Sequence, residues 1–267
     1  MLRDESSLAA CLRSNDTGFD VTIPTSHPYF SSHIVRGKAV FPGVAYLDLA
    51  LESVRAKFPS FHSQGFVDCI WMAPIIGEGD QVQFQIVLES FGSHIDFEVW
   101  TKLTRHAVGS VIGPSMGGTW TKAPNVMEQV ASHPSRRFSR QETYEAFTGM
   151  GIWYGDFFRR INYVDVYENM AVALLSAIDG GQLTFGNLLD CAFQAGVAIS
   201  IGREQDSLMP FSLGSLTFHA AIDFRKAGTF LVATEKSTPF RTNMGLYNEE
   251  DQLLLSVIDL GVKPSRL

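Results

Sequence analysis

Two kinds of hydrophobic pattern run along this chain, strict alternation and nearly continuous apolar segments. Val82–Leu88 alternates apolar and polar residues with the period of two typical of a half-buried strand. The apolar segments Gly43–Val54 and Leu188–Arg203 predict long buried helices. Further segments predict strands: Val67–Ile76, Asp80–Ser90, His94–Ile112, Ile161–Val166 continuing into Met170–Ala177, Leu213–Asp223, Thr229–Ser237, Thr242–Tyr247 and Leu253–Val262.

Residues at the helix starts support these predictions. Pro42 suits the beginning of the first long helix, where a missing N–H group costs nothing. Asn187 is the predicted N-cap of the second long helix. A short helix is predicted over Ser139–Met150, because Ser139 and Glu142 have the spacing of a capping box.

The order of the elements predicts an α+β fold with two similar halves. Each half has one long apolar helix followed by several antiparallel strands. A helix that is apolar on nearly all sides must be wrapped by a curved sheet rather than laid on a surface. Two such units side by side form a double hot dog, with an N-terminal unit at 1–138 and a C-terminal unit at 139–267. A linker is expected at about 113–138, where the sequence becomes loop-like.

Composition narrows the functional classes. Of the 267 residues 45% are hydrophobic, which is ample for a core. The net charge of -7, without any Lys/Arg run, argues against nucleic-acid binding. The three cysteines, Cys11, Cys69 and Cys191, lack metal-ligand spacing, so a reducing cytoplasm is expected. No segment resembles a signal peptide or is long enough to cross a bilayer. The polar ends are typical of a domain cut from a longer polypeptide.

The segment around His33 contains a titratable imidazole, a glycine and a Pro-Gly pair. His33 precedes Gly37, and Pro42 and Gly43 open the first long helix. Free N–H groups and the positive dipole end at a helix start can polarise a carbonyl oxygen. A base beside such a donor suits proton abstraction next to a thioester. A structural histidine is the alternative for His33, and His27 is an equally titratable competitor.

The second long helix contains one carboxylate in an otherwise apolar run. Asp190 and Gln194 are four residues apart and therefore share a helix face, where the amide can brace the carboxyl group. Burial raises the pKa of such a carboxyl, whereas the helix N-terminus lowers it, and the sequence leaves the balance open. If the effect of burial exceeds that of the helix N-terminus, Asp190 would hold a proton near neutral pH and could donate it. A buried aspartate that only caps or hydrogen-bonds is the alternative.

These residues form motifs that resemble those of dehydratase domains of modular polyketide synthases. His33, Gly37 and Pro42 fit the pattern HxxxGxxxxP, and Asp190 with Gln194 fits DxxxQ. Several motifs in the expected order are far more specific than any one alone. The remaining matches are Gly151–Phe158 with GxxYGPxF, Leu208–Ser212 and His219 with LPFS…H, His27-Pro28, and Arg105–Gly109.

The resemblance implies loss of water from a 3-hydroxyacyl chain held as a thioester on an acyl carrier protein. It implies that His33 removes the α-proton and that Asp190, helped by Gln194, protonates the leaving hydroxyl. The amides near Gly43 would hold the thioester oxygen. Tyr154 would bond the β-hydroxyl or shape the cleft, with a core tyrosine as the alternative. With Gly37 and Pro42, these residues are the candidate substrate contacts.

Relatives on the same scaffold define the alternative functions. They include double-bond-shifting, pyran-forming and cyclisation-directing (product-template) domains. A non-catalytic scaffold module is a further alternative, and the intact His33 and Asp190 argue against it. One departure from the family pattern is Asp156, which occupies the proline position of GxxYGPxF and puts the tunnel shape in doubt.

Cofactors and partners follow from the same resemblance. We expect no metal and no diffusible cofactor, since the substrate is carried on the phosphopantetheine arm of the acyl carrier protein. Other expected partners are neighbouring polyketide synthase domains of the same polypeptide and a second copy in a homodimer. Carrier proteins of this kind are acidic, so docking requires a local basic patch. The candidates for that patch are Arg36, Lys38, Arg159 and Arg160.

Overall fold

The structure, a computed structural model, describes part of the chain in detail. The described residues are 7–114, 133–176, 183–199, 201, 208–220, 229–238 and 240–264. The predicted linker falls largely on residues outside this set, as do the predicted element ends at Ala177, Arg203 and Asp223. Within the predicted linker, Arg136–Ser139 forms a strand.

Four α-helices lie in the described ranges, and two of them occupy the centre of the fold. The central pair, α2 and α4, pack against each other. Of their residues, most are buried, which agrees with the nearly all-round apolar pattern. The helices are α1 (Pro28–Ser31), α2 (Gly43–Lys57), α3 (Arg140–Gly149) and α4 (Phe185–Ala198), and a 3-10 turn spans Leu8–Cys11.

The strands of the first half surround α2. They pair antiparallel in the order β1-β2-β6-β7-β8-β5. Helix α2 contacts β2, β6, β7 and β8 of this set. These strands are β1 (Leu12–Ser14), β2 (Gly18–Pro24), β5 (Gly65–Trp71), β6 (Gln81–Ser90), β7 (His94–Trp100) and β8 (Arg105–Ile112).

The strands of the second half surround α4 in the same way. They pair antiparallel in the order β13-β16-β15-β14-β12-β11-β9, and α4 contacts β11, β12, β14 and β15. These strands are β9 (Arg136–Ser139), β11 (Ile161–Val166), β12 (Met170–Ser176), β13 (Leu208–Phe218), β14 (Thr229–Thr238), β15 (Arg241–Tyr247) and β16 (Leu253–Pro264).

The two half-sheets join into one sheet. Strand β5 of the first half pairs with β13 of the second, so the described strands include a continuous 13-stranded sheet. A smaller sheet of β10 (Ile152–Tyr154), β3 (His33–Val35) and β4 (Lys38–Ala39) also contains strands from both halves. The predicted α+β double hot dog is confirmed, with both central helices inside one shared core.

Several predicted boundaries are wrong for local reasons. The predicted strand His94–Ile112 is a hairpin, because the Thr101 N–H donates to the Thr104 carbonyl (3.0 Å) and reverses the chain. The predicted strand Leu213–Asp223 begins earlier, at Leu208, and passes through a bulge between Pro210 and Ser212. A bulge accommodates proline because one residue leaves the hydrogen-bond ladder.

Of the two predicted helix caps, one is confirmed and the other is wrong. The capping box of Ser139 and Glu142 is present at the start of α3, as predicted. Asn187 is not the N-cap of α4. Thr184 is the N-cap, and the Asn187 side chain accepts a hydrogen bond from the Thr184 N–H (2.9 Å) as the third residue of a capping box. The helix therefore begins at Phe185, ahead of the predicted Leu188.

Candidate active site

The glycine of the first motif shapes the turn that follows His33. Arg36 and Gly37 have φ values of 49° and 78°. Two successive positive φ angles make the tight turn that suits a two-residue hairpin between β3 and β4, and such a turn favours glycine. Gly37 does not line the cavity that contains His33, contrary to the prediction that it contacts the substrate. Its structural role is to reverse the chain after the strand that carries His33.

The His33 side chain is buried and held in one tautomer. Its Nδ1 lies 2.8 Å from the carbonyl oxygen of Val40. A carbonyl oxygen only accepts hydrogen bonds, so Nδ1–H of the neutral ring donates to it and Nε2 carries the lone pair. Burial lowers the pKa of His33 to about 4, although the hydrogen bond to Val40 opposes the shift. His33 is therefore neutral at pH 7 and able to accept a proton.

Tyr154 lies directly beside His33. Strand β10 pairs with β3 so that Tyr154 is opposite His33, and the two ring centroids are 5.5 Å apart. Burial raises the pKa of Tyr154 well above its usual value, so the hydroxyl keeps its proton. Within the described parts of the chain, that hydroxyl makes no hydrogen bond. It is therefore available as a donor to a bound molecule.

Asp190 and Gln194 form the expected pair on α4. The Gln194 Nε2 group donates to Asp190 Oδ2 (2.8 Å) and to the carbonyl oxygen of Phe158 (3.1 Å). Phe158 belongs to the Gly151–Phe158 segment that also contains Tyr154, so this hydrogen bond ties the amide to that segment. Gln194 thereby fixes the orientation of the Asp190 carboxyl group.

The balance of effects on Asp190 is decided by burial. Asp190 lies beyond the first turn of α4, where the influence of the helix dipole has fallen off. Burial raises the pKa of Asp190 to about 7, and the hydrogen bond from Gln194 opposes this shift. Near neutral pH a large share of Asp190 therefore holds a proton that it can donate.

The start of α2 offers a backbone donor. Pro42 is the N-cap of α2, and Gly43 is the first helical residue, so the N–H of Gly43 has no acceptor within the helix. The Trp71 ring packs over this point, since a Cβ at Gly43 would lie 3.2 Å from Trp71 Cε2. Any side chain at Gly43 would press against that ring. The N–H at the helix start can therefore donate to an oxygen atom of a ligand, whereas the Trp71 ring leaves no space for a side chain at Gly43.

One cavity contains these groups together. It has a volume of about 610 Å³ and is lined by His33 from the first half and Asp190 from the second. That volume lies within the common range for small-molecule sites. Most of the remaining lining is apolar. The other predicted residues that line it are Pro42, Gly43, Tyr154 and Gln194, and its apolar walls include Trp71, Phe147, Phe193 and Val197.

The other histidines lie elsewhere. His27 does not line the cavity; its ring stacks on Tyr29, and its Nδ1 accepts a hydrogen bond from the Tyr29 N–H (3.3 Å). His106 bonds Thr101 Oγ1 (2.8 Å), and His219 bonds Ser256 Oγ (2.8 Å). Geometry thus favours His33 over His27 as the base.

Sequence reasoning missed a buried pair next to the site. Asp48 is the only carboxylate within Gly43–Leu51 of α2, the same signal that singled out Asp190. It does not line the cavity, and it accepts a hydrogen bond from the Tyr29 hydroxyl (2.6 Å). A Cβ at Gly186 would collide with that hydroxyl, so the Tyr29 side chain, which comes from α1, contacts both α2 and the start of α4. The pair therefore links the two central helices.

The described residues contain neither a metal-binding cluster nor a membrane-spanning helix. No group of three His, Cys, Asp or Glu side chains there is arranged to hold a metal ion. No helix in those ranges has both the length and the apolar character needed to cross a membrane. The expectation of a reaction without metal or cofactor stays a prediction.

Sequence comparison identifies the family. A family model described as "Polyketide synthase dehydratase domain" matches residues 6–102, and one described as "Polyketide synthase dehydratase N-terminal domain" matches residues 122–266. The chain belongs to the polyketide synthase dehydratase family. The resemblance of the motifs is thereby confirmed.

Curated relatives of this dehydratase-family chain are much longer proteins. Polyketide synthase PksN of Bacillus subtilis is 30% identical over 206 residues, or 70% of this chain. Polyketide synthase ThaG of Burkholderia thailandensis is 28% identical over 243 residues, or 82% of this chain. In each case the match covers 4% of the relative. The chain therefore corresponds to a small part of each relative.

Solved dehydratase structures share the fold. A trans-AT polyketide synthase dehydratase domain from Brevibacillus brevis has a TM-score of 0.82 at 20% identity, covering 98% of this chain and 100% of that one. The dehydratase domain from the CurF module of the curacin polyketide synthase has a TM-score of 0.78 at 20% identity, covering 95% and 96%. The fold is retained across a large sequence distance.

Asp156, the departure from the family pattern, lies in a turn outside the cavity. The Phe158 N–H donates to the Gly155 carbonyl (3.0 Å), which makes Asp156 the second residue of a four-residue turn. That position favours proline, and the turn is made here without it.

We expect Asp156→Pro to leave activity unchanged and to stabilise the fold by about 0.4–1 kcal/mol, because proline restricts the unfolded chain at a compatible position. The Asp156 N–H has no acceptor among the described residues, so no hydrogen bond is lost. Chemical denaturation and a turnover assay measure both effects. A large loss of turnover would show that Asp156 contributes to the site.

Proposed function

We propose that this domain dehydrates a 3-hydroxyacyl thioester carried on the phosphopantetheine arm of an acyl carrier protein. One observation carries the proposal: His33 and Asp190 line one cavity, and burial shifts their pKa values in opposite directions, to about 4 and about 7. Near neutral pH this arrangement holds an unprotonated base and a protonated acid at the same time. Elimination of water needs both.

The proposed reaction follows from the positions of the groups. His33 Nε2 takes the α-proton, and the electron pair moves toward the thioester carbonyl. The Gly43 N–H at the start of α2 stabilises the negative charge on that oxygen. The Cβ–O bond then breaks, the Cα=Cβ double bond forms, and Asp190 gives its proton to the leaving hydroxyl, which departs as water. Tyr154 donates a hydrogen bond to the same hydroxyl and orients it.

Two similar structures support the roles of a histidine and an aspartate. One is an inactive mutant of the CurK dehydratase with histidine replaced by phenylalanine, and the other is an inactive mutant of the same dehydratase with aspartate replaced by asparagine. Both share the fold of this chain, with TM-scores of 0.81. We assign the equivalent requirement to His33 and Asp190.

The proposed partners are the acyl carrier protein, neighbouring domains of the same polypeptide and a second copy in a homodimer. The great length of the curated relatives supports the neighbouring domains. Of the four predicted docking residues, Arg36 and Lys38 are exposed in the β3–β4 turn. Arg160 is buried, so its placement in a docking surface is wrong, and Arg159 packs its guanidinium 4.7 Å from the Tyr144 ring.

The direct test incubates the domain with each enantiomer of a 3-hydroxyacyl pantetheine thioester and follows the product by mass spectrometry. Loss of one water with an α,β double bond supports the proposal. A shifted double bond, a pyran ring or a cyclised product identifies the corresponding alternative activity. An unchanged substrate with either enantiomer contradicts the proposal.

The pH dependence of kcat/KM is expected to be bell-shaped. Activity should fall as the pH drops through about 4, because His33 becomes protonated and loses its function as a base. Activity should also fall as the pH rises through about 7, because Asp190 loses the proton it must donate. Since kcat/KM reports the free enzyme, its two limbs measure these pKa values. A rate that increases through about pH 7 would contradict the assignment of Asp190 as the acid.

A further inference from the structure

Three buried side chains donate hydrogen bonds to the carbonyl oxygen of Phe158. The donors are Tyr144 Oη of α3 (3.2 Å), Cys191 Sγ (3.1 Å) and Gln194 Nε2 (3.1 Å) of α4. The Tyr144 hydroxyl also accepts a hydrogen bond from the Ile161 N–H (3.2 Å), so it holds both ends of the segment from Phe158 to Ile161. Tyr144 does not line the cavity, whereas Gln194 does. Tyr144 therefore fixes this carbonyl from outside the site.

The Phe158 carbonyl selects one orientation of the Gln194 amide. A carbonyl oxygen only accepts hydrogen bonds, so the NH₂ group of the amide, and not its oxygen, has to point toward it. In this orientation Nε2 also donates to Asp190 Oδ2 (2.8 Å), and Gln194 Oε1 is buried without a hydrogen-bond partner among the described residues. In the reverse orientation Oε1 would face the carboxyl group and accept its proton. The orientation of the amide thus decides where the proton of Asp190 lies.

We propose that Tyr144 is a positioning residue for the acid. Its hydroxyl fixes the Phe158 carbonyl, and that carbonyl orients the Gln194 amide. The oriented amide donates to one carboxyl oxygen of Asp190, so the acidic proton resides on the other oxygen and is available to the leaving hydroxyl. This inference rests on the proposed function, since only a reaction that needs an acid depends on where that proton lies.

The ionisable groups around Asp190 are uncharged near neutral pH. Those that interact with it electrostatically are Tyr29 of α1, Tyr144 of α3, Tyr154 of β10 and Cys191 of α4, and burial raises the pKa of each. His33, which lines the same cavity, is neutral as well, because burial lowers its pKa. Removing the Tyr144 hydroxyl therefore removes no charge from these surroundings. A change in the pKa of Asp190 after that removal reports altered hydrogen bonding.

The variant Tyr144→Phe tests the proposal, because it removes the hydroxyl and keeps the ring. Loss of the amide donor raises the pKa of a carboxyl group, so the alkaline limb of kcat/KM should move upward by about one pH unit. We expect kcat to fall by about 10-fold to 100-fold with little change in KM, since a misdirected proton slows elimination without weakening binding.

Tyr29→Phe is the matched control for the pH profile. Tyr29 is likewise a buried tyrosine that does not line the cavity and whose hydroxyl is hydrogen-bonded. Its loss of a buried hydrogen bond should lower stability and leave the alkaline limb in place. An alkaline limb that stays in place in Tyr144→Phe as well would show that Tyr144 is merely structural and would overturn the proposal.

A titration without substrate separates this inference from the proposed reaction. Carbon-13 NMR of labelled aspartate follows the Asp190 carboxyl group, and Asp190→Asn identifies its signal. Its pKa should rise in Tyr144→Phe and in Gln194→Leu, and the double variant should show no further rise, because both changes act through the same amide. This result supports the positioning of Asp190 by Tyr144, whether or not dehydration occurs. A pKa that is unchanged in Tyr144→Phe, or a rise that persists undiminished in the Gln194→Leu background, overturns it.

A measurement on the unaltered domain applies if Tyr144→Phe does not fold. Nitrogen-15 NMR monitors the two Nε2 protons of Gln194, which donate to Asp190 and to the Phe158 carbonyl. Both protons should exchange slowly with solvent, and their signals should shift as Asp190 titrates. Fast exchange of either proton, or signals that do not respond to the titration, would contradict the proposed orientation of the amide.

Discussion

Dehydration by the His33→Ala variant is expected to be about 10²–10⁴-fold slower than by the unaltered domain, as for the loss of a general base. The imidazole acts through Nε2, which is kept unprotonated by the Nδ1–H bond to Val40 and by the low pKa of the buried ring. Alanine removes this base, and no other histidine among the described residues lines the cavity. The remaining rate would come from Asp190 and from the Gly43 N–H.

The rate of water loss from a 3-hydroxyacyl thioester measures this effect, and circular dichroism checks that the variant folds. His219→Ala is the control, because His219 is a histidine that does not line the cavity and whose ring bonds Ser256 Oγ. Its rate should remain within a few-fold of the unaltered domain. A near-normal rate for His33→Ala would refute the assignment of His33 as base and return attention to His27.

Asp190→Asn is expected to abolish elimination to a similar degree, about 10²–10⁴-fold, because the amide has no acidic proton to give to the leaving hydroxyl. The asparagine oxygen can still accept the hydrogen bond from Gln194, so the local geometry is kept. Proton removal by His33 is a separate step. The variant should therefore continue to exchange the α-proton of the substrate with heavy water, which mass spectrometry detects.

Asp48→Asn is the matched control for this experiment. Asp48 is likewise a buried aspartate of a central helix, and the asparagine can still accept from the Tyr29 hydroxyl. Its elimination rate should stay close to normal. Elimination at an undiminished rate in Asp190→Asn would rule out Asp190 as the acid.

Stability measurements provide an independent check on Asp190. Its folded-state pKa is about 7 and its ordinary value is 3.8, so the folded state holds the proton more tightly than the unfolded state. The carboxyl therefore contributes stability that is complete below about pH 4 and is lost as the pH rises to about 7. Relative to Asp190→Asn, the unaltered domain should lose stability across this interval in chemical denaturation. A constant difference would show that the pKa of Asp190 is not raised.

The sequence alone determined the two central helices, most strands and the double hot dog. These features depend on periodic burial and on short-range capping, such as that of Ser139 by Glu142, and such patterns are visible in neighbouring residues. It also singled out His33 and Asp190, because a titratable group in an apolar segment is conspicuous without any structure. The sequence pattern failed at the start of α4, where two residues suited to an N-cap lie close together. Thr184 rather than Asn187 occupies that position.

Only the tertiary structure decided what these side chains experience. The same pattern, one aspartate in an apolar helix, occurs at Asp48 and at Asp190, yet one bonds Tyr29 and the other lines the cavity. The burial of Arg160, which the sequence suggested for a docking surface, is likewise visible only in the folded chain. The pKa of Asp190 likewise depends on desolvation by both halves, which opposed the effect of Gln194 and exceeded it. Such effects arise from long-range packing, which the order of residues along the chain does not display.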